Sequence, residues 1–209
     1  NWSAGEPTAG VDAIINITAT ATVSLAGETC RSLLMGSGGG AQLEIVDGGS
    51  LTVDNATIGT GGGASLSTSG FGSPVLTVTH SLTISSFCDM VTGGGTIAIG
   101  TSAADSLIVS GTLQLTGNPT FSVTNLAMRD GSVLSAFVQF TGVTGVVSAG
   151  PAVLNGTLKV YDFSAPDGVY EVVSAGSIVG TFDDVQLPVS GDWSWMIDGN
   201  KVLVMKGAV

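Results

Sequence analysis

Short runs of alternating apolar and small polar residues recur along the middle of the chain. Clear examples are residues 51–53 (Leu-Thr-Val), 76–78 (Leu-Thr-Val), 82–84 (Leu-Thr-Ile) and 113–115 (Leu-Gln-Leu). Alternation with a period of two is typical of β-strands that bury one face. No window shows the spacing of an amphipathic helix over two turns. The pattern therefore predicts an all-β protein.

The predicted strands form a repeat with glycine-rich corners. Residues 76–84 and 107–115 each read as a three-residue strand, a corner and a second strand, and residues 51–58 form a shorter unit. The units start at intervals of 25 and 31 residues. Strands this short are unlike those of a β-sandwich, and irregular repeats of this length are typical of solenoids. We therefore expect a parallel β-helix, right-handed like nearly all parallel crossovers.

The two ends differ from this middle part, and one continuous domain with three parts is predicted. Residues 1–29 are expected to form an N-terminal β cap, residues 30–156 the solenoid and residues 157–209 a C-terminal antiparallel segment. An uncovered solenoid end exposes backbone and core, so it requires a cap. Asp198-Gly199 between two apolar runs, residues 193–197 and 201–205, predicts a hairpin in the last part.

The net charge of the chain restricts the classes of function that it can have. The chain has 16 Asp and Glu against 5 Lys and Arg, a net charge of −11. Such a surface cannot supply the cationic contacts that phosphate backbones require, so no nucleic-acid partner is expected. The sequence also lacks an apolar stretch of about 18 residues, so no membrane-spanning segment is predicted.

The cysteines bear on the compartment. Cys30 and Cys88 are the only two in the chain. An even number in a chain rich in Gly, Ser and Thr favours a disulfide between them and an oxidising, extracellular location. The alternative is a pair of buried thiols that behave as small apolar groups.

Three segments carry a resemblance to a known class of proteins. The opening NWSAGEPTAGVD (residues 1–12), residues 49–53 with 58–62, and residues 168–173 with 180–182 resemble bacterial secreted β-helix proteins of the autotransporter-passenger, β-strand-repeat type. The resemblance covers most of the chain. It implies a secreted or cell-surface protein with a role in adhesion, a matrix or a filament.

Few residues in the sequence suggest catalysis, metal binding or ligand binding. His80 is the only histidine, no Cys/His cluster accompanies it, and Asp183-Asp184 is the only adjacent acidic pair. Neighbours on a strand point to opposite faces, so this pair is a poor glycosidase site. No catalytic residue, metal site or cofactor is predicted.

Trp193 and Trp195 lie two apart and face one side, which makes them a candidate platform for sugar rings, with packing against the core as the alternative.

A non-enzymatic extracellular structural subunit that self-associates through β-structure is the leading interpretation. A glycan-binding module is the first alternative, and a polysaccharide-cleaving enzyme or an ice-binding protein are further ones. Ice binding would use outward threonines such as Thr52, Thr77 and Thr83. Other residue types occupy the sites expected to match them, namely Gln114, Ala98 and Ile108.

Overall fold

A computed structural model describes residues 7–16, 18–36, 40–61, 63–70, 73–116, 120–140, 142–143 and 145–207. These residues contain no helix. They form the strands β1 (Asp12–Ile15), β2 (Thr20–Val23), β3 (Glu28–Met35), β4 (Ala41–Ile45), β5 (Ser50–Ile58), β6 (Ala64–Thr68), β7 (Val75–Val78), β8 (Leu82–Ile84), β9 (Asp89–Thr92), β10 (Thr96–Ile99), β11 (Leu107–Val109), β12 (Thr112–Leu115), β13 (Thr120–Val123), β14 (Leu126–Met128), β15 (Val133–Gln139), β16 (Gly142–Val143), β17 (Val146–Ser148), β18 (Pro151–Leu154), β19 (Thr157–Phe163), β20 (Gly168–Ser174), β21 (Ser177–Gly180), β22 (Asp184–Gln186), β23 (Trp193–Asp198) and β24 (Lys201–Lys206).

The strands stack in parallel on three faces. Face 1 contains residues 28–30 of β3, residues 50–53 of β5, and β7, β10, β13, β17 and β20. Face 2 contains β1, residues 32–35 of β3, residues 55–58 of β5, and β8, β11, β14, β18 and β21. Face 3 contains β2, β4, β6, β9, β12, β15, β19 and β22.

The chain visits face 2, then face 3, then face 1 in each turn, and it completes about seven turns. The predicted all-β parallel β-helix is therefore confirmed. The parallel ladder runs from β1 to β22, further in both directions than the predicted range of 30–156. β1 and β2 form the first turn of this ladder, and residues 1–6 of the predicted cap lie outside the described residues.

Inward side chains form continuous columns. One column on face 2 runs through Leu33, Ala56, Leu82, Leu107 and Leu126, and all five are buried. A fully buried leucine contributes about 1.5–3 kcal/mol relative to an exposed one. A slip of one residue would turn each column outward, so the alternation in the sequence also fixes the register.

The predicted repeat is wrong in its third unit, residues 107–115, which does not stack on the second unit, residues 76–84. Leu51 pairs with Leu76 on face 1, as the first interval of 25 residues implies. The next residue in that column is Ile97, whereas Leu107 pairs with Leu82 on face 2. The unit at 107–115 therefore lies one face further along the chain than the unit at 76–84.

The C-terminal antiparallel hairpin is confirmed. β24 pairs in an antiparallel manner with β20, and β23 pairs in the same manner with β24 across a turn between Asp198 and Lys201. The hairpin extends face 1, and Val202 and Val204 bring its inner side into the core. Because β24 reverses the chain direction, the parallel ladder of face 1 ends at β20.

The predicted disulfide is absent from the structure. Cys30 and Cys88 are both buried, and neither is in a disulfide. Cys30 pairs with Val53, which pairs with Val78, and Cys88 follows in a later turn. Two rungs separate the two cysteines by about 10 Å along the axis of the solenoid. A disulfide requires Cα atoms within about 7 Å of each other. Burial raises the pKa of the Cys30 thiol to about 11, as expected for a cysteine that acts as a small apolar core residue.

Candidate functional site

Faces 1 and 2 carry no charged residue on their middle strands. This holds for face 1 from residues 50–53 to β17, and for face 2 from residues 55–58 to β21, among the described strands. By contrast, face 3 carries Glu44, Asp89, Lys159, Asp162 and Asp184 on its strands. The chain has a net charge of −11, and the charged residues that the structure describes lie on face 3, in the corners and at the two ends of the solenoid.

Face 2 presents a continuous outward column, which we call the face 2 stripe. It has one residue per strand, and five of its eight members are large aliphatic residues: Ile14, Leu34, Thr57, Thr83, Ile108, Ala127, Val153 and Val179. Ile14, Val153 and Val179 are exposed at 56%, 42% and 53%. The stripe is therefore a narrow apolar surface along the length of the solenoid.

The threonines considered for ice binding do not form one column. Thr29, Thr52 and Thr77 are in register on face 1, and Ala98 and Ser122 continue that column. Thr83 lies on face 2 beside Ile108, and Gln114 lies on face 3. The regular threonine row spans three rungs, so the described strands do not provide a repeating threonine lattice.

His80 lies at the rim of a loop that a buried carboxylate holds together. Its Nδ1 atom is 3.5 Å from Oδ1 of Asp105. The backbone N–H groups of Thr101 and Ser102 donate to Oδ2 of Asp105 over 2.9 and 2.7 Å. These donors hold the pKa of the Asp105 carboxyl below its usual range. Asn125 Nδ2 donates to the backbone oxygen of Asp105 over 2.7 Å, so the arrangement braces the loop between β10 and β11.

Asp183 and Asp184 have separate local partners. The Gly156 N–H donates to Oδ2 of Asp183 over 2.9 Å, which ties this corner to the corner one turn earlier. Gln186 Nε2 donates to Oδ2 of Asp184 over 2.9 Å. Each carboxylate therefore serves its own corner or strand, and the two do not share a hydrogen-bond partner in these bonds.

Trp193 and Trp195 are on the same side of β23, as their spacing predicts, and that side faces inward. Both are half-buried and pack against the hydrophobic core. Trp193 Nε1 donates to the backbone oxygen of Ser190 over 3.0 Å, and its ring centroid is 6.3 Å from that of Tyr170. This placement favours core packing over the predicted sugar platform.

A second aromatic group lies on the outer side of face 3. Phe137 stacks on Tyr161 with ring centroids 4.5 Å apart and on Phe163 with centroids 5.4 Å apart. The Lys159 ammonium lies 5.1 Å from the centroid of the Tyr161 ring. Phe137 and Lys159 both contact the Tyr161 ring, so this stack joins β15 to β19, and its outermost member, Phe163, is 55% exposed.

Phe87, the most exposed phenylalanine among the described residues, is not among the residues predicted from the sequence. It lies in the corner between β8 and β9 and is 94% exposed. Two neighbouring corners give a signal for it, because Gly59-Thr60-Gly61 and Ser110-Gly111 consist of glycine and small polar residues. The equivalent corner between β21 and β22 contains Phe182, whose side chain is buried in the core, so Phe87 is exposed at a kind of corner where another phenylalanine is buried.

Two kinds of feature are absent from the described part of the chain. It contains no group of three or more His, Cys, Asp or Glu side chains placed to hold a metal ion. It also contains no helix that is long and apolar enough to cross a membrane. Comparisons with protein-family models, with curated proteins and with solved structures found no match.

Proposed function

We propose that this chain is a non-enzymatic structural protein of the bacterial cell exterior, whose solenoid associates side by side with further copies through the face 2 stripe. The observation that carries this proposal is the absence of charge from the middle strands of faces 1 and 2. A protein that only needed to remain monomeric would gain from charges there, because edge and surface charges oppose association between sheets.

The aliphatic members of the stripe give the contact its driving force. Side chains such as Ile108 and Val153 are in register in the outward column, and a second stripe placed against them would remove apolar surface from water. Two sheets pack face to face at a separation of about 10 Å, which leaves room for one layer of side chains from each.

The dimensions of the stripe limit the strength of a single contact. Eight strands span about 34 Å at the usual strand spacing, and an outward row with its flanks is about 10 Å wide. The resulting area is well below the roughly 800 Å² per partner that stable pairs bury. An isolated dimer is therefore weak, and stable association requires contacts repeated in an array.

The net charge opposes the same contact. With a net charge of −11, two copies repel each other through their corners and face 3. This repulsion is screened within about 10 Å at 0.1 M salt. Association through an uncharged stripe is therefore expected to strengthen with ionic strength, whereas association through ion pairs would weaken.

The extracellular location rests on the resemblance of residues 168–173 and 180–182 to secreted β-helix proteins. These residues lie in β20 and at the end of β21. A disulfide does not contribute to this part of the proposal, since Cys30 and Cys88 are not bonded to each other.

Sedimentation velocity and negative-stain electron microscopy test the proposal. The protein is compared at about 0.01 M and about 1 M NaCl, where the screening length falls from about 30 to about 3 Å. We expect larger assemblies at high salt. Ile108→Lys places a charge in the stripe and should abolish them, whereas Gln114→Lys adds the same charge on face 3 of the same turn and should not.

Circular dichroism is the control for folding, and both variants should retain the β-structure of the parent. Monomers at both salt concentrations, up to the highest protein concentration reached, would overturn the proposed association. Equal loss of assembly in the Ile108 and Gln114 variants would show that net charge, and not the stripe, controls it.

A further inference from the structure

Phe87 combines two features that are unusual for a phenylalanine. Its side chain is 94% exposed, and its backbone has a φ of 64°. A positive φ is rare for bulky residues because Cβ approaches the backbone. Residues held in such conformations cluster at binding sites, where the surrounding structure maintains them. The corner between β8 and β9 thus holds an aromatic ring away from the core.

Hollows lie on both sides of this ring. A hollow of about 340 Å³ separates Phe87 from Thr60 in the preceding turn. Another of about 390 Å³ separates it from Ser110, Thr112 and Asp130 in the following turns. Both hollows are open to solvent, so a ligand that lies in them stays partly exposed. The two hollows follow the corner along the axis of the solenoid, and the ring stands between them.

The lining of the hollows is polar around a single apolar feature. Ser86, Ser110, Thr112 and Asp130 line the larger hollow together with Gly111, which has no side chain. No Lys or Arg is among the described residues that line either hollow. The site therefore offers one ring surface, several hydrogen-bonding oxygens and no cation for an acidic ligand.

We propose that the Phe87 corner binds a neutral oligosaccharide, which stacks a sugar ring on Phe87 and places its hydroxyl groups in the two hollows. Sugar rings have an apolar C–H face that stacks on aromatic rings, and their hydroxyls donate to carboxylate and hydroxyl oxygens such as those of Asp130 and Ser110. This site goes beyond the proposed side-by-side association, which uses the face 2 stripe. It also differs from the pair Trp193 and Trp195, which packs against the core.

A protein partner fits the corner less well. Seating a protein on Phe87 would also bury the carboxylates of Asp130 and of Asp89, which lines a third hollow of about 240 Å³ beside the ring. Burying a carboxylate without a compensating donor is unfavourable. Sugar hydroxyls supply such donors and let water remain at the rim.

Isothermal titration calorimetry of the full chain tests the proposal with cello-, xylo-, manno- and maltohexaose as probes. We expect at least one of them to bind the parent protein. Phe87→Ala should weaken that binding at least ten-fold, and Asp130→Asn should weaken it to a smaller extent. Phe140→Ala is the matched control because Phe140 is also highly exposed, at 79%, and does not line these hollows. It should bind like the parent.

Phe87→Gly separates binding from folding. Glycine adopts a positive φ without strain, so this variant should melt at or above the temperature of the parent and still fail to bind. It should also assemble like the parent in high salt, so the outcome for the face 2 stripe is independent. The proposal is overturned if the parent binds none of the four probes, if Phe87→Gly binds as well as the parent, or if Phe87→Gly removes self-association instead.

Discussion

A methyl group added at Gly111 should separate two turns of the solenoid. Gly111 lies in the corner between β11 and β12, and a Cβ at this position would be within 3.0 Å of the backbone oxygens of Cys88 and Ser85 in the preceding turn. Its φ is not positive, so the effect of Gly111→Ala is steric and not conformational. The two backbones cannot both keep their positions.

The structure sets the size of the effect. The corner can relax only if it moves away from the preceding turn, which stretches the bonds from the Gly111 N–H to Ile84 O, 3.2 Å, and from the Thr112 N–H to Cys88 O, 2.9 Å. Each bond contributes about 0.5–1.5 kcal/mol, and overpacking adds about 1–3 kcal/mol. We expect a loss of about 3 kcal/mol, which lowers the melting temperature by about 6–12 °C for a chain of this length.

Differential scanning calorimetry with circular dichroism measures this change. Each turn contacts only its neighbours, so damage between two turns should also broaden or split the transition. Gly10→Ala is the control, because a Cβ at Gly10 meets nothing within 4 Å and should leave stability unchanged or slightly higher. If Gly111→Ala melts within about 2 °C of Gly10→Ala, which corresponds to less than about 1 kcal/mol, the close approach of the two turns is refuted.

Three further outcomes are expected. Phe121→Ala should destabilise the protein by about 3–5 kcal/mol in denaturant unfolding, since Phe121 is 2% exposed; a loss below about 1 kcal/mol would contradict its place in the core. The Arg31 guanidinium lowers the pKa of Asp12 to about 2, so the stabilisation from this pair is complete above the ordinary Asp value near 3.9 and is lost as pH falls towards 2. An NMR titration should show this pKa and its return towards about 3.9 in Arg31→Gln. Cys30 and Cys88 are buried, so a thiol reagent should label neither in the folded protein and both after denaturation; rapid labelling of the native protein is the contrary result.

The alternation of side chains was sufficient to predict the fold. In residues 82–84 and 107–109, the first and third side chains are buried and the middle one faces outward. Such short strands cannot form a core within one layer, so they must stack. Asp198-Gly199 likewise predicted the hairpin, although the two-residue turn is formed by Gly199 and Asn200, because Asp198 pairs with Lys201 at the ends of the strands.

The phase of the turns could not be read from the same pattern. Between face 1 and face 2, the chain uses residues 79–81 after β7 but residues 100–106 after β10. An alternating pattern does not record which corner it crosses, so residues 107–115 look like residues 76–84. The longer corner is stabilised by Asp105, whose acceptor role for Thr101 and Ser102 is a contact that the alternation does not encode.

The candidate binding residue was missed for a related reason. In the sequence, Phe87 resembles a core residue between small polar neighbours, and only its backbone conformation turns it outward. Trp193 and Trp195 show the reverse case. Their spacing correctly placed them on one side of a strand, but spacing does not tell which side of β23 faces the core.

Because the turns are stacked, the length of the solenoid depends on the number of turns and changes by a fixed amount with each one. Face 1, with its hairpin, has nine strands from residues 28–30 to β23, a distance of about 38 Å at the usual spacing of 4.8 Å. Duplicating or deleting one turn, such as the 25 residues from Leu51 to Val75, would change that distance by about 4.8 Å. Both ends of the ladder would keep their structure. Evolution or protein design can therefore change the length of the solenoid one turn at a time without altering either end.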